Sequence, residues 1–176
     1  DDYLEIRPEQ ADRIRRLVQA GKLMIGPWYV LPDEFLEGPE AMVRNLLAGR
    51  RGCRRFSDDV QPMERICYIP DTFGHVGQLP QIAAGFGQQA VCLWRGVGDA
   101  PTELRWAAPD GTERLLLHLR DSYSNGALLP PDEDGFIRTL NAQIDSLAPH
   151  ATTSHLLLMV GTDHMAPHAD LPGHLP

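Results

Sequence analysis

The feature that most restricts the fold of this chain is an alternation along its 176 residues. Short apolar runs, interrupted only by Arg105 and His118, are separated by segments with helical periodicity. The runs lie at 23–25, 66–69, 90–94, 104–107, 115–119 and 156–160. Between them, Ala11, Ile14, Leu17 and Val18 fall on one helical face, opened by Pro8 and ended by Gly21. Pro39 opens a second helix with Met42, Val43, Leu46 and Leu47 facing inward. Residues 80–86 read as a short helix closed by Gly87, and Phe136, Leu140, Ile144 and Leu147 mark a third long one. Strands that are apolar throughout are buried on both faces, which predicts a parallel sheet covered by helices. The runs at 104–107 and 115–119 are joined by the turn Pro109-Asp110-Gly111. No low-complexity linker and no internal repeat divides the chain, so residues 1–176 read as one domain or part of one.

A second regularity sits just after the predicted strands. Trp28, Asp33 and Glu34 follow 23–25, and Asp71 and His75 follow 66–69. Arg95 follows 90–94, Arg120, Asp121 and Tyr123 follow 115–119, and Asp163 and His164 follow 156–160. In parallel α/β architectures functional groups collect at the carboxyl ends of strands. Five strand ends delivering polar side chains to one rim point to a site.

Composition narrows the chemistry. The formal net charge is -8, which argues against nucleic acid as a partner. Cys53, Cys67 and Cys92 are odd in number and form no C-x-x-C pair. That speaks against a disulfide framework or a cysteine zinc site and favours a reducing, cytoplasmic location. No apolar run reaches the ~18 residues of a membrane span. The opening Asp1-Asp2-Tyr3-Leu4-Glu5 reads as mid-domain sequence and not as a leader.

Two carboxylates stand out. Asp71 lies in Ile69-Pro70-Asp71-Thr72-Phe73-Gly74-His75, and Asp163 in Val160-Gly161-Thr162-Asp163-His164. Each can be a nucleophile, an acid, a base or a metal ligand, and each can equally be a turn residue. A pair from separate strand ends suits glycoside cleavage, where one group attacks the sugar and the other protonates the leaving oxygen.

The stretch Gly26-Pro27-Trp28-Tyr29-Val30-Leu31-Pro32-Asp33-Glu34-Phe35, the run Val43-Arg44-Asn45-Leu46-Leu47-Ala48-Gly49, the block at 69–82 and Trp94-Arg95-Gly96 resemble glycoside hydrolase family 38. These are retaining α-mannosidases, and the flavour is that of the bacterial branch that includes mannosylglycerate hydrolases. The resemblance runs through nearly the whole chain in the family's order. It implies part of a seven-stranded (β/α) barrel built around one zinc ion, with the N-terminal strand and C-terminal regions lying outside residues 1–176. It further implies an α-mannoside or mannosylated molecule as substrate, and a homo-oligomeric parent. Asp71 then matches the nucleophile and zinc ligand, and Asp163 the general acid/base. Arg95 matches an arginine that steadies the nucleophile, Tyr123 a substrate-contacting tyrosine, and Trp28 is a candidate sugar contact.

Departures from the family are clear. Its His-x-Asp zinc motif has no counterpart here, nor has its downstream His, so Asp71 alone represents the metal ligands. Where the family reads Ser-Gly-Glu, this chain has Gly38-Pro39-Glu40. His75 and His164 are not ligand positions in the family, and His118 reads as a core or rim histidine. Trp28 and Trp94 suit the core as well as a sugar face. The basic run at 50–55 reads as a solvated helix end. Two other classes remain: a metal-dependent sugar deacetylase and a non-catalytic carbohydrate-binding remnant.

Overall fold

The computed structural model describes residues 2–59, 61–167, 169 and 171–174. Its centre is a sheet of β1 (Ile66–Tyr68), β2 (Ala90–Leu93), β3 (Glu103–Ala107) and β4 (Glu113–His118), in the order β1-β2-β4-β3. β1, β2 and β4 are parallel, with Cys67 beside Val91 and Val91 beside Leu116. Two further bonds prolong the ladder toward the carboxyl ends, Ile69 N–H to Cys92 O at 2.9 Å and Leu119 N–H to Leu93 O at 2.8 Å. All four residues of β2 are buried, as its central place and apolar composition require.

The sheet is mostly, not wholly, parallel. β3 runs antiparallel to β4, with Leu104 beside Leu116. The short Pro109-Asp110-Gly111 connection decides this, because a parallel pair needs a crossover of a dozen or more residues. Gly111, at φ 85°, takes the left-handed position of the turn. Among the described residues the sheet has four strands and does not close, so a seven-stranded barrel is not what these residues form by themselves.

Two expected strands are absent from the ladder. Residues 23–25 and 156–160 are irregular. Leu23 and Met24 are exposed, as are Leu157 and Val160. A short apolar run becomes a strand only where a neighbour takes up its backbone groups. Residues 156–160 instead lean on Asn125, whose side chain donates to Leu157 O at 3.1 Å and accepts from Met159 N–H at 2.8 Å.

α-Helices and 3-10 turns make up the rest of the regular structure. α1 (Asp2–Ile6), a 3-10 turn at Pro8–Gln10 and α2 (Ala11–Gln19) open the chain. α2 ends where Gly21, at φ 66°, donates its N–H to Val18 O at 3.0 Å. α3 (Pro39–Cys53) buries Met42, Leu46, Gly49 and Cys53 along one stripe, whereas Leu47, expected inward, is exposed. α4 (Leu79–Gly85) packs on β2 and β4. α5 (Glu133–Leu147) starts where Asp132 accepts the Gly135 N–H at 2.7 Å. α6 spans Leu171–His174. Among the described residues no helix is long and apolar enough to cross a membrane. All three cysteines are free and buried, and burial pushes the Cys92 thiol up to about 12 and Cys67 higher still, so neither offers a thiolate.

The basic run at the end of α3 is not merely solvated. Arg54 donates to the buried Glu64 carboxylate at 3.1 and 3.4 Å. Arg50 lies 3.9 Å from the same carboxylate, bonds the Phe86 carbonyl and stacks 5.0 Å over the Phe86 ring. These contacts tie α3 to the 3-10 turn Pro62–Arg65 before β1 and to the end of α4.

α3 also carries the segment that follows residues 23–25. Asn45 accepts the N–H groups of Tyr29 and Val30 at 2.9 and 3.1 Å and donates to Val30 O at 2.7 Å. This approach is possible only because residue 49 lacks a side chain. A Cβ there would lie 2.1 Å from Pro27 O and 2.7 Å from the Trp28 carbonyl carbon. Gly49→Ala should therefore destabilise the protein, by about 1–3 kcal/mol or more, although alanine is the better helix former. A lowered thermal midpoint checks this; an unchanged or raised midpoint contradicts it.

Candidate active site

Because β1, β2 and β4 are parallel neighbours, their carboxyl ends share one edge of the sheet. Asp71 follows β1, Arg95 follows β2 and Tyr123 follows β4. Arg95 Nε and Nη2 both approach Asp71 Oδ1, at 2.8 and 2.6 Å. No bond to Oδ2 is present among the described residues, so that oxygen is open to a ligand. Both side chains are a little over one-third exposed.

Aromatic rings hold the guanidinium from two sides. Its central carbon lies 4.7 Å from the Phe73 ring centroid and 4.1 Å from that of Trp94, within cation–π range. Trp94 in turn meets Tyr123 edge to face at 5.5 Å, and the Tyr123 hydroxyl donates to Asp163 Oδ2 at 2.9 Å. Asp71, Arg95, Trp94, Tyr123 and Asp163 thus form one continuous chain of contacts. The bond to Asp163 is the largest cause that raises the Tyr123 hydroxyl above its ordinary pKa; the Asp71 and Asp163 charges add and Arg95 opposes.

The other sequence candidates lie elsewhere. Trp28 is 8% exposed in the core beside Met42 and Leu46, and its indole N–H has no acceptor among the described residues. Arg120 turns to the Ala100 carbonyl at 2.7 Å and to Asp99, while Asp121 accepts from Ser146 on α5 at 2.8 Å. Both serve packing of loops and not the rim. His118 is buried, its Nδ1 without a partner among the described residues, and burial lowers its pKa. His164 is exposed with φ 61°. His75 bonds Glu34 at 2.7 Å.

Sequence reading missed two features. Phe73 and Trp94 embrace Arg95, and Glu34 is buried with both oxygens bonded. Glu34 stood among the rim residues, but its partners lie 41 and 42 positions away. The only local signal was an acidic residue set in an apolar stretch. Among the described residues no group of three or more His, Cys, Asp or Glu side chains could hold a metal ion.

The chain is similar to known proteins along nearly its whole length. The model of "Glycosyl hydrolases family 38 N-terminal domain" matches residues 1–173. The chain is 41% identical to a Halalkalibacterium halodurans protein named "Putative mannosylglycerate hydrolase", over 97% of this chain and 20% of that protein. It is 33% identical to alpha-mannosidase 2C1 of Homo sapiens, over 66% of this chain and 12% of that one. Among solved structures, an alpha-mannosidase from Enterococcus faecalis superposes with a TM-score of 0.90 at 35% identity, covering 99% of this chain and 20% of its own. The chain therefore spans 12–20% of the length of these relatives.

The Tyr123–Asp163 bond makes a spectroscopic prediction. In 13C-tyrosine NMR, the resonance that Tyr123→Phe removes should titrate above the ordinary tyrosine value, and Asp163→Asn should move it back down, since a neutral amide no longer opposes a tyrosinate. A Tyr123 midpoint indifferent to Asp163→Asn would contradict the contact.

Proposed function

The chain belongs to glycosyl hydrolases family 38, in its N-terminal domain, and from that membership we propose that it contributes the catalytic carboxylates of a retaining α-mannosidase barrel. The observation that carries this reading is the chain of contacts from Asp71 through Arg95, Trp94 and Tyr123 to Asp163. In the proposed reaction Asp71 Oδ2 attacks the anomeric carbon of the mannoside. The glycosidic bond breaks, and protonated Asp163 gives its proton to the departing oxygen. A water molecule then attacks the same carbon, Asp163 takes its proton, and the ester bond to Asp71 breaks. Arg95 holds the other oxygen of Asp71, so only Oδ2 is presented. The exposed Phe73 ring and Trp94 offer apolar faces to the sugar, and Tyr123 a hydroxyl.

Substrates of this reading are α-mannosides, including mannosylated small molecules such as the mannosylglycerate named for the bacterial relative. The proposed cofactor is zinc with Asp71 as one ligand. A catalytic zinc site takes three protein ligands, and the described residues hold no such group, so they do not fit a zinc site by themselves. Residues 1–176 alone should then bind zinc weakly and leave an aryl α-mannoside intact. Calorimetric titration and a release assay check this; tight one-to-one binding with turnover would refute it.

The catalytic assignment is tested in the intact polypeptide carrying these residues. A fluorinated α-mannosyl fluoride, which forms the covalent sugar ester but hydrolyses it slowly, should label Asp71, as read by peptide mass spectrometry. Asp163→Ala should slow natural mannosides by about 10²–10⁴-fold and spare substrates with activated leaving groups far more. A label on another residue, or equal loss on both substrate types, would remove Asp71 or Asp163 from its role.

A further inference from the structure

Asp71 is fixed from before by the sheet, and what fixes it from behind lies outside the chain of contacts at the rim. Four contacts join residues 32–35 to residues 72–76. Thr72 Oγ1 donates to Pro32 O at 3.0 Å. Glu34 Oε1 bonds His75 Nδ1 at 2.7 Å, and Glu34 Oε2 accepts the Val76 N–H at 2.7 Å. The Phe35 ring lies on Gly74, where a Cβ would come within 2.1 Å of it. His75 Nε2 is buried and unpartnered among the described residues, so the bond from Nδ1 to Glu34 is the contact that holds the ring.

The choice of a carboxylate here calls for a reason. The Glu34 side chain has no exposure. Removing a carboxylate from water costs several kcal/mol, and apolar packing of similar volume is often as stable. What a carboxylate supplies that an apolar side chain does not is two directed acceptors, here one for a side chain and one for a backbone N–H. Those two bonds fix both the position and the orientation of the loop that begins at Asp71.

We propose that Glu34 is a positioning residue for the Asp71 carboxylate, acting through His75 and Val76 to hold the loop that carries it. The proposal rests on the reading of Asp71 as nucleophile. Nothing in it places Glu34 against substrate. Its effect is on the distance between Asp71 Oδ2 and the anomeric carbon, where a displacement of about 1 Å can cost about 10²-fold in rate.

The test uses the intact polypeptide with Glu34→Ala, Glu34→Gln and Thr72→Val, an activated aryl α-mannoside, and the fluorinated mannosyl fluoride. For Glu34→Ala, kcat should fall about 10²-fold while KM stays within about threefold, because the site still binds sugar and misplaces only the attacking atom. Glu34→Gln keeps one acceptor and the volume, so it should lie between wild type and Glu34→Ala. Thr72→Val should show a smaller loss of the same kind. The labelling rate at Asp71 should fall in step with kcat. If Glu34→Ala does not fold, judged by near-ultraviolet circular dichroism, Glu34→Gln decides. Wild-type labelling at Asp71 with kcat and labelling rate unchanged in folded Glu34→Gln would overturn the positioning role and leave the nucleophile intact. A rise in KM with constant kcat would also overturn it. A wild-type label away from Asp71 would overturn the nucleophile reading and this proposal with it.

Discussion

Everything at the rim depends on the parallel pairing of β1, β2 and β4. In a parallel ladder all carboxyl ends emerge on the same edge. Asp71, Arg95 and Tyr123 are far apart in sequence, yet they leave adjacent strands in the same direction. Antiparallel pairing of β2 with either neighbour would have sent Arg95 to the opposite edge and left Asp71 without its cation. β3 is the antiparallel member, and it sits at the outer edge beyond β4, where its direction does not disturb this arrangement.

Within that frame, two buried carboxylates, Glu34 and Glu64, hold the segments that flank β1. Glu34 and Glu64 have no side-chain exposure, and each is bonded at both oxygens. Glu64 joins α3 to the turn before β1; Glu34 joins residues 32–35 to the loop after it. β1 is therefore anchored on both sides by a carboxylate. Asp71 and Asp163, in contrast, keep access to solvent. The same residue chemistry serves scaffolding or reaction according to how many of its lone pairs the protein already occupies.

Arg95 links the two layers of the site. Its charge faces Asp71, and its planar face is covered by Phe73 and Trp94. A guanidinium can do both at once because its donors lie in the plane and its π-face lies across it. A lysine would offer the charge without the plate, and Trp94 would lose the contact that orders it against Tyr123.

Sequence by itself determined the α/β class, the helices near 11–19, 39–53, 79–85 and 133–147, the β3–β4 turn and the burial of β2. These rest on local rules: apolar spacing, proline at helix starts, glycine at their ends. The family could be read from ordered motifs, because Asp71, Arg95 and the loops about them are contiguous strings. Tertiary structure alone decided which apolar runs became strands. Residues 23–25 and 156–160 have strand-like composition, but a strand needs a ladder of backbone bonds, and the neighbours supply only isolated ones, Leu23 N–H to Leu17 O at 3.2 Å and Gly126 N–H to Met159 O at 2.9 Å. It also decided which rim residues face each other. Trp28 went to the core, Arg120 and Asp121 to loop packing, and Glu34 to His75. Partners some 40 positions apart leave no spacing to read, so the division of the carboxylates into buried fasteners and solvent-facing rim groups belongs to the fold.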